Sequence, residues 1–280
     1  MESLNLLVNG EPTTSVAVAD RGLQFGDGLF ESVRVIDGQA RYWDSHMQRL
    51  ARGCERLRLP IPGAQVLAKD RDRLIRDEPN GVLKILWTAG PGGRGYTRAL
   101  PLFPTRVMIR YPLPMLPKSW CELGLTLRFC DIRLGINPGL AGIKHLNRLE
   151  QVLAAAESND PAIHEGLLMD TQDRVIEGII SNVFVIKNNV VYTPSLANCG
   201  VEGIMREHVL EALPALGLQA HIGDLTKDDC LTADEMFVCN SVRGILPVAC
   251  LESRRFQQRA VTQRIQEHLS EPPPVLWAPS

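Results

Sequence analysis

Ten residues near the middle of the chain, YPLPMLPKSW at 111–120, carry three prolines. Each removes a backbone donor and disfavours helix in the residue before it. Neither a helix nor a central strand runs through such a stretch, so it divides what can fold on either side. The reading is a domain over 1–112, a Pro-rich linker over 113–120 and a second domain over 121–280. With 45% hydrophobic residues in 280, the chain can build substantial cores without covalent staples.

Turn chemistry organises the first part. Asn9-Gly10 is a strong hairpin signal and predicts strands at 3–8 and 13–18. Asp37-Gly38 predicts a second hairpin between 29–36 and 39–43. Asp44 reads as the N-cap of a helix to about Leu57, with Met47, Leu50, Cys54 and Leu57 on its apolar face. Further strands are expected at 82–89 and 106–111. Beyond the linker, a strand at 123–130 precedes a helix at 146–157, whose buried stripe would be Leu146, Leu149, Val152, Leu153 and Ala156. Strands follow at 165–170, 174–177, 181–187 and 190–193, then a helix over about 203–213 and a strand at 235–239. Hairpins mixed with helices predict an α+β fold in both domains.

Composition excludes more than it selects. Thirty basic and thirty-two acidic residues leave a net charge of −2, which argues against a nucleic-acid partner or an anionic membrane surface. No apolar run approaches the length of a membrane span, and MESLNLLVNGEP lacks the basic start of a secretory signal. Seven cysteines without a CxxC pair point to a reducing, cytoplasmic setting rather than a disulfide framework. The six histidines show no metal-ligand spacing, so no metal is expected, and His145 reads as structural.

The chemistry starts at GLAGIKHLNRLE, residues 139–150. Lys144 stands between a glycine-flanked apolar approach and a helix, where partial desolvation would disfavour the ammonium form and leave a nucleophilic amine. A lysine ahead of a helix is more commonly solvated, so the functional reading needs partners. Glu177 ends RVIEG and brings a carboxylate to a sheet rim beside Ser181 and Asn182, either to meet a ring nitrogen or as an ordinary strand-end charge. GVEGIMRE places Gly203, Ile204 and Met205 at a helix start, whose amides and dipole favour phosphate, or which is a plain helix entry. Arg49 in DSHMQRL lies off the apolar stripe of its helix and reads as a surface residue or a phosphate clamp. Taken together, a lysine, a carboxylate, an arginine and a helix N-terminus are the parts that hold pyridoxal phosphate. GPGGRGY at 90–96 lacks the GxxxxGK[ST] pattern of a nucleotide loop and reads as a flexible hairpin tip.

In this order the segments ADRGLQFGDGLFESVRV, HMQRL, GIKHLNRLEQVLA, VIEGIISNVF, GVEGIMRE and ADEMFVCNS resemble the fold-type IV pyridoxal-phosphate enzymes. That family includes branched-chain and D-amino-acid aminotransferases and 4-amino-4-deoxychorismate lyases. KHLNRLEQVL and GPGGRGY are similar to the lyases, whereas the other motifs are shared by the whole family. The resemblance implies a two-domain, D-amino-acid-aminotransferase-like fold, pyridoxal 5'-phosphate as cofactor, and a homodimer. It places Lys144 at the Schiff-base position, Glu177 against the pyridine nitrogen and Arg49 on the phosphate. Ile204 and Met205 fall on the helix-start amides, Met205 standing where the family often has Thr, and Asn240 and Ser241 fall on a second phosphate-side loop. Arg94 and Tyr96 would approach the substrate carboxylates. The implied activity is a β-elimination from 4-amino-4-deoxychorismate to 4-aminobenzoate and pyruvate, with Lys144 also the base. The alternative is an aminotransferase for D- or branched-chain amino acids.

Overall fold

The computed structural model describes residues 5–269; positions 3 and 4 of the first expected strand and 270–280 of the expected second domain lie outside the described residues. The chain forms two compact units. One runs to Leu113 and takes in Ile143–Asn147; the other takes Pro114–Gly142 and continues from Arg148.

The first unit contains β1 (Leu6–Val8), α1 (Arg21–Phe25), β2 (Gly28–Ile36), β3 (Gln39–Ala40), α2 (Trp43–Leu57), α3 (Ala64–Ile75), β4 (Gly81–Thr88) and β5 (Arg106–Tyr111). Its strands form an antiparallel sheet in the order β1-β5-β4-β2-β3. Asp37 and Gly38 take the positive φ angles of 49° and 76° that a tight β2–β3 turn demands. Asn9 and Gly10 do the same at 53° and 88°, but no strand forms at 13–18. The return chain makes a single bridge from Glu11 to Val8 and pairs no further, while β1 pairs with β5 along its other edge. Asp44 is not a cap either. The helix is entered from Tyr42, at φ 53°, and Asp44 lies in the first turn, where its charge complements the helix dipole.

The period of two along β2 turns Leu29, Glu31, Val33 and Val35 to one buried side. There α2 lies close: a β-carbon at Gly53 would stand 2.8 Å from the Leu29 methyls. The lysine segment belongs to this unit, not to the C-terminal domain expected from the sequence. Phe30 N–H donates to the Lys144 carbonyl at 2.9 Å and Leu146 N–H to the Gly28 carbonyl at 3.0 Å, so His145 makes an isolated antiparallel bridge to Leu29 at the start of β2.

The second unit contains α4 (Lys118–Glu122), β6 (Leu125–Leu134), α5 (Leu149–Ala156), β7 (Glu165–Asp170), β8 (Val175–Gly178), β9 (Asn182–Lys187), β10 (Val190–Pro194) and α6 (Ile204–Ala212). It continues with β11 (Gln219–Gly223), α7 (Lys227–Leu231), β12 (Glu235–Asn240), β13 (Gly244–Leu251), β14 (Arg254–Arg255) and α8 (Ala260–Leu269). Its mixed sheet runs β11-β10-β9-β12-β13-β6-β7-β8, with β14 on β13. A core including Leu127, Leu167, Val183, Val185, Met236, Val238 and Leu246 packs along it. Phe184 and Phe237 stack at 4.7 Å on neighbouring strands.

Helix α5 departs from expectation. It starts at Leu149 rather than 146, and the stripe expected to be buried is outside: Leu149, Val152 and Leu153 are 76, 59 and 54% exposed. The small Ala154 is its buried residue, so the face without bulk is the one that fits against the unit.

Candidate active site

Two charged residues and a histidine of the first unit form a buried knot. Glu31, delivered by the inward side of β2, accepts from Arg49 Nε at 2.8 Å and from Arg49 Nη2, and its Oε2 lies 2.6 Å from His46 Nδ1. Arg49 and His46 sit one turn apart on α2. The sequence puts Arg49 off the helix's apolar stripe; the structure buries it to 5% exposure, because Glu31 supplies its counter-charge inside. Burial alone would raise the Glu31 pKa, but the Arg49 charge and the His46 hydrogen bond overcome it and hold the carboxyl at about 2. Burial pushes the His46 imidazole below its ordinary value; Glu31 opposes that shift, and the charges of Arg49 and Lys144 add to it. The other ring nitrogen of His46, Nε2, is buried without a hydrogen-bond partner among the described residues. Lys144 is half-buried, its Nζ 4.5 Å from the centre of the Phe30 ring.

The glycine loop is fastened rather than loose. Arg21, buried at the start of α1, donates to the carbonyls of Gly95 and Tyr96 at 3.1 Å and of Thr97 at 3.4 Å, while its Nε reaches Asp27 at 2.9 Å. Arg98 binds the same Asp27 and the Leu57 carbonyl. Arg94 and Tyr96 are both exposed, with the Tyr96 ring 5.6 Å from that of Phe25.

The second unit gathers the other candidate residues around one turn. Glu177, buried on β8, accepts from Val201 N–H at 2.8 Å. The turn after it is closed by Gly178 N–H to the Ser181 carbonyl at 2.7 Å and anchored by Glu165, which accepts from Ile180 N–H at 2.9 Å and the Ser181 hydroxyl at 2.8 Å. Burial raises the Glu165 pKa, and those two donors oppose the rise. Asn182 donates to the Val201 carbonyl at 2.9 Å, and Asn240 donates to the Ile180 carbonyl at 3.2 Å while its own oxygen accepts from Val242 and Arg243 N–H. The loop bearing Ser241 is thereby tied to the Glu177 turn. Gly203 precedes α6 in extended conformation, and no side chain caps the helix start at Ile204 and Met205. A β-carbon at Gly203 would collide with Asn182 Oδ1.

Glu31, His46, Arg21, Asp27 and Glu165 were not singled out from the sequence. Glu31 alone left a signal there: a carboxylate among the apolar residues of LFESVRVI, at a position whose period points inward.

Residues 28–251 match the model of the family described as amino-transferase class IV. The chain belongs to that family. Among its relatives, an aminodeoxychorismate lyase from Vibrio harveyi is 37% identical over 268 residues, 94% of this chain and 98% of the relative. A D-alanine aminotransferase from Bacillus licheniformis is 27% identical, over 91 and 90% of the two chains. Among solved structures, the 4-amino-4-deoxychorismate lyase from Pseudomonas aeruginosa superposes with a TM-score of 0.91 at 39% identity, covering 94% of this chain and 97% of that one.

Proposed function

We propose that this chain is a pyridoxal-phosphate-dependent 4-amino-4-deoxychorismate lyase. The observation that carries the reading is the similarity to two such lyases, 37 and 39% identical and matched over nearly their whole length. The chain's own groups suit the cofactor. A half-buried lysine can carry it, a buried carboxylate can pair with a ring nitrogen, and an uncapped helix start and a buried arginine can take a phosphate.

When bound, pyridoxal 5'-phosphate supplies an electron sink for the carbon bearing the substrate amine. Lys144 would hold the cofactor covalently and, when its amine is free, would remove the proton from the substrate carbon that bears the amine. Glu177, its own position set by Val201 N–H, would face the ring nitrogen and hold its proton. Arg49 and the amides of Ile204 and Met205 hold the phosphate, supported by Gly203 on the helix side and by Asn240 and Ser241 on the second loop. Ser181 and Asn182 keep the Glu177 turn and the α6 approach in place through Glu165 and Val201. Arg94 and Tyr96 are proposed to meet substrate carboxylates. The balance is an elimination: a carbon–hydrogen and the adjacent carbon–oxygen bond break, the ring becomes aromatic, and the departing enolpyruvyl group takes a proton to become pyruvate.

Repeated turnover of 4-amino-4-deoxychorismate to 4-aminobenzoate and pyruvate, with no keto acid added, tests the assignment. An aminotransferase stops after one half-reaction without an acceptor. The D-alanine aminotransferase relative keeps that second reading in view, and acceptor-dependent reaction of D-alanine with no 4-aminobenzoate would establish it. Borohydride should fix the cofactor to Lys144, and Lys144→Ala should abolish that label. We also propose a homodimer in the cytoplasm, supported by the exposed Leu149, Val152 and Leu153 of α5 and by seven free cysteines. No helix among the described residues is long and apolar enough to cross a membrane.

A further inference from the structure

His46 has a part in this site that none of its motifs assigns. Its Nδ1 lies 2.6 Å from a Glu31 carboxylate that Arg49 also engages, so the hydrogen of that contact belongs to the imidazole. A neutral ring then carries a lone pair, not a hydrogen, on Nε2, and this atom is buried without a hydrogen-bond partner among the described residues. A buried polar atom left this way is destabilising unless something binds it. The charged groups bearing on the ring are Glu31 from β2, Arg49 from its own helix and Lys144 from the 143–147 segment.

We propose that His46 Nε2 contacts the phosphate group of the cofactor, and that the contact forms only with uptake of a proton from solvent. This rests on the reading that Arg49, one turn along the same helix and bound to the same carboxylate, faces that phosphate. The reasoning is chemical. A phosphate dianion offers only acceptors, and an unprotonated Nε2 is an acceptor as well, so the two repel unless a hydrogen lies between them. Near pH 8 a phosphate monoester, with a second pKa of about 6, is almost wholly dianionic. Burial keeps His46 neutral there. Neither partner brings the hydrogen, so one proton enters the His46–phosphate pair as the cofactor binds. Glu31 is the positioning residue, fixing the imidazole through Nδ1 and the guanidinium through Nε and Nη2.

The test compares pyridoxal phosphate with pyridoxal, which forms the same bond to lysine but lacks the phosphate. Calorimetric titration of the cofactor-free chain at pH 8, in two buffers of different ionisation enthalpy, counts protons bound with each ligand. Protonation changes at Lys144 and at the pyridine ring are common to both and cancel in the difference. Pyridoxal phosphate should take up about one proton more than pyridoxal. In His46→Gln, which can still donate to Glu31, the extra proton should vanish, and the preference for pyridoxal phosphate over pyridoxal should fall about tenfold. Equal proton uptake for the two ligands in the unaltered chain overturns the proposal, as does an unchanged extra proton in His46→Gln. Should that variant not fold, the count in the unaltered chain still decides. An unaltered chain that binds pyridoxal as tightly as pyridoxal phosphate would instead remove the phosphate reading on which the proposal stands.

Discussion

Replacing Glu31 by Gln should destabilise the cofactor-free protein by roughly 3 kcal/mol at pH 7. Glu31 is 1% exposed, and it satisfies two nitrogens of Arg49 and one of His46. A glutamine keeps the shape but turns one oxygen into an NH₂ group, which then faces a donor from Arg49 or His46 and leaves a buried guanidinium without its counter-charge. Breaking one side of a buried ion pair costs about 3–5 kcal/mol. An independent route gives a similar size: a carboxyl held at about 2 rather than its ordinary 4.5 contributes roughly 3 kcal/mol when fully ionised. The sign follows from linkage. The native state depresses this pKa, so the contribution is complete above 4.5 and is lost as pH falls toward 2. Urea unfolding of parent and Glu31→Gln should therefore differ by roughly 3 kcal/mol at pH 7 and by roughly 2 kcal/mol at pH 3.5. A difference below about 1 kcal/mol at pH 7, or one that does not shrink on acidification, would refute the buried ion-pair argument.

Glu177→Ala should retain most of its cofactor yet lose turnover, and it should also lose about 1–3 kcal/mol of stability because Val201 N–H is left without that acceptor; absorbance of bound cofactor and kcat measured together check this, and parental kcat contradicts it. Gly203→Ala should cost about 1–3 kcal/mol and weaken cofactor retention, since the new methyl displaces the Asn182 oxygen and strains the bond to the Val201 carbonyl; urea unfolding that matches the parent would show the approach is looser than described. Arg21→Ala should release the loop at Gly95–Thr97, seen as faster tryptic cleavage at Arg94 and a raised KM. Unchanged digestion would mean that the guanidinium does not hold the loop.

Much of the fold could be read from turn and period signals, and the misses have physical causes. The Asp37-Gly38 hairpin forms because both residues take positive φ and the flanking runs pair; Asn9-Gly10 adopts the same backbone, yet the return chain stops at the Glu11–Val8 bridge and β1 finds its strand partner, β5, along the other edge. Turn chemistry fixes a reversal, not which strand pairs next. Helix α5 misled for a related reason. Its leucines repeat at helical spacing, but spacing does not say whether the apolar side faces its own unit, and here the alanine does. Helix α8, by contrast, was missed although Val261 and Ile265 are buried on it, and nearby Glu235 accepts from the N–H groups of Val261 and Thr262.

The candidate site was legible only in its outer layer. Lys144 and Glu177 stood out as reactive or charged types at a turn or element end, where function commonly sits, the 203–205 helix start for its free amides, and Arg49 as a charged residue off the apolar stripe of its helix. The groups that hold them are distant in sequence and ordinary in type: Glu31 for Arg49, Val201 for Glu177, Glu165 for Ser181, Arg21 for the loop bearing Arg94. Their roles arise from pairings of 18, 24, 16 and 74 residues' separation, which no local pattern encodes. This also changes what Arg49→Ala tests. Arg49 reads from sequence as a lone phosphate clamp, so its loss should weaken cofactor binding alone; in the structure it also neutralises Glu31, and deleting it leaves a buried carboxylate beside a neutral imidazole. That carboxylate should then recover protons, its pKa rising from about 2 because burial is no longer opposed by the guanidinium. Arg49→Ala should therefore lower apoprotein stability as well as cofactor affinity, whereas loss of affinity with unchanged urea unfolding would mean that Glu31 does not depend on Arg49 for its charge.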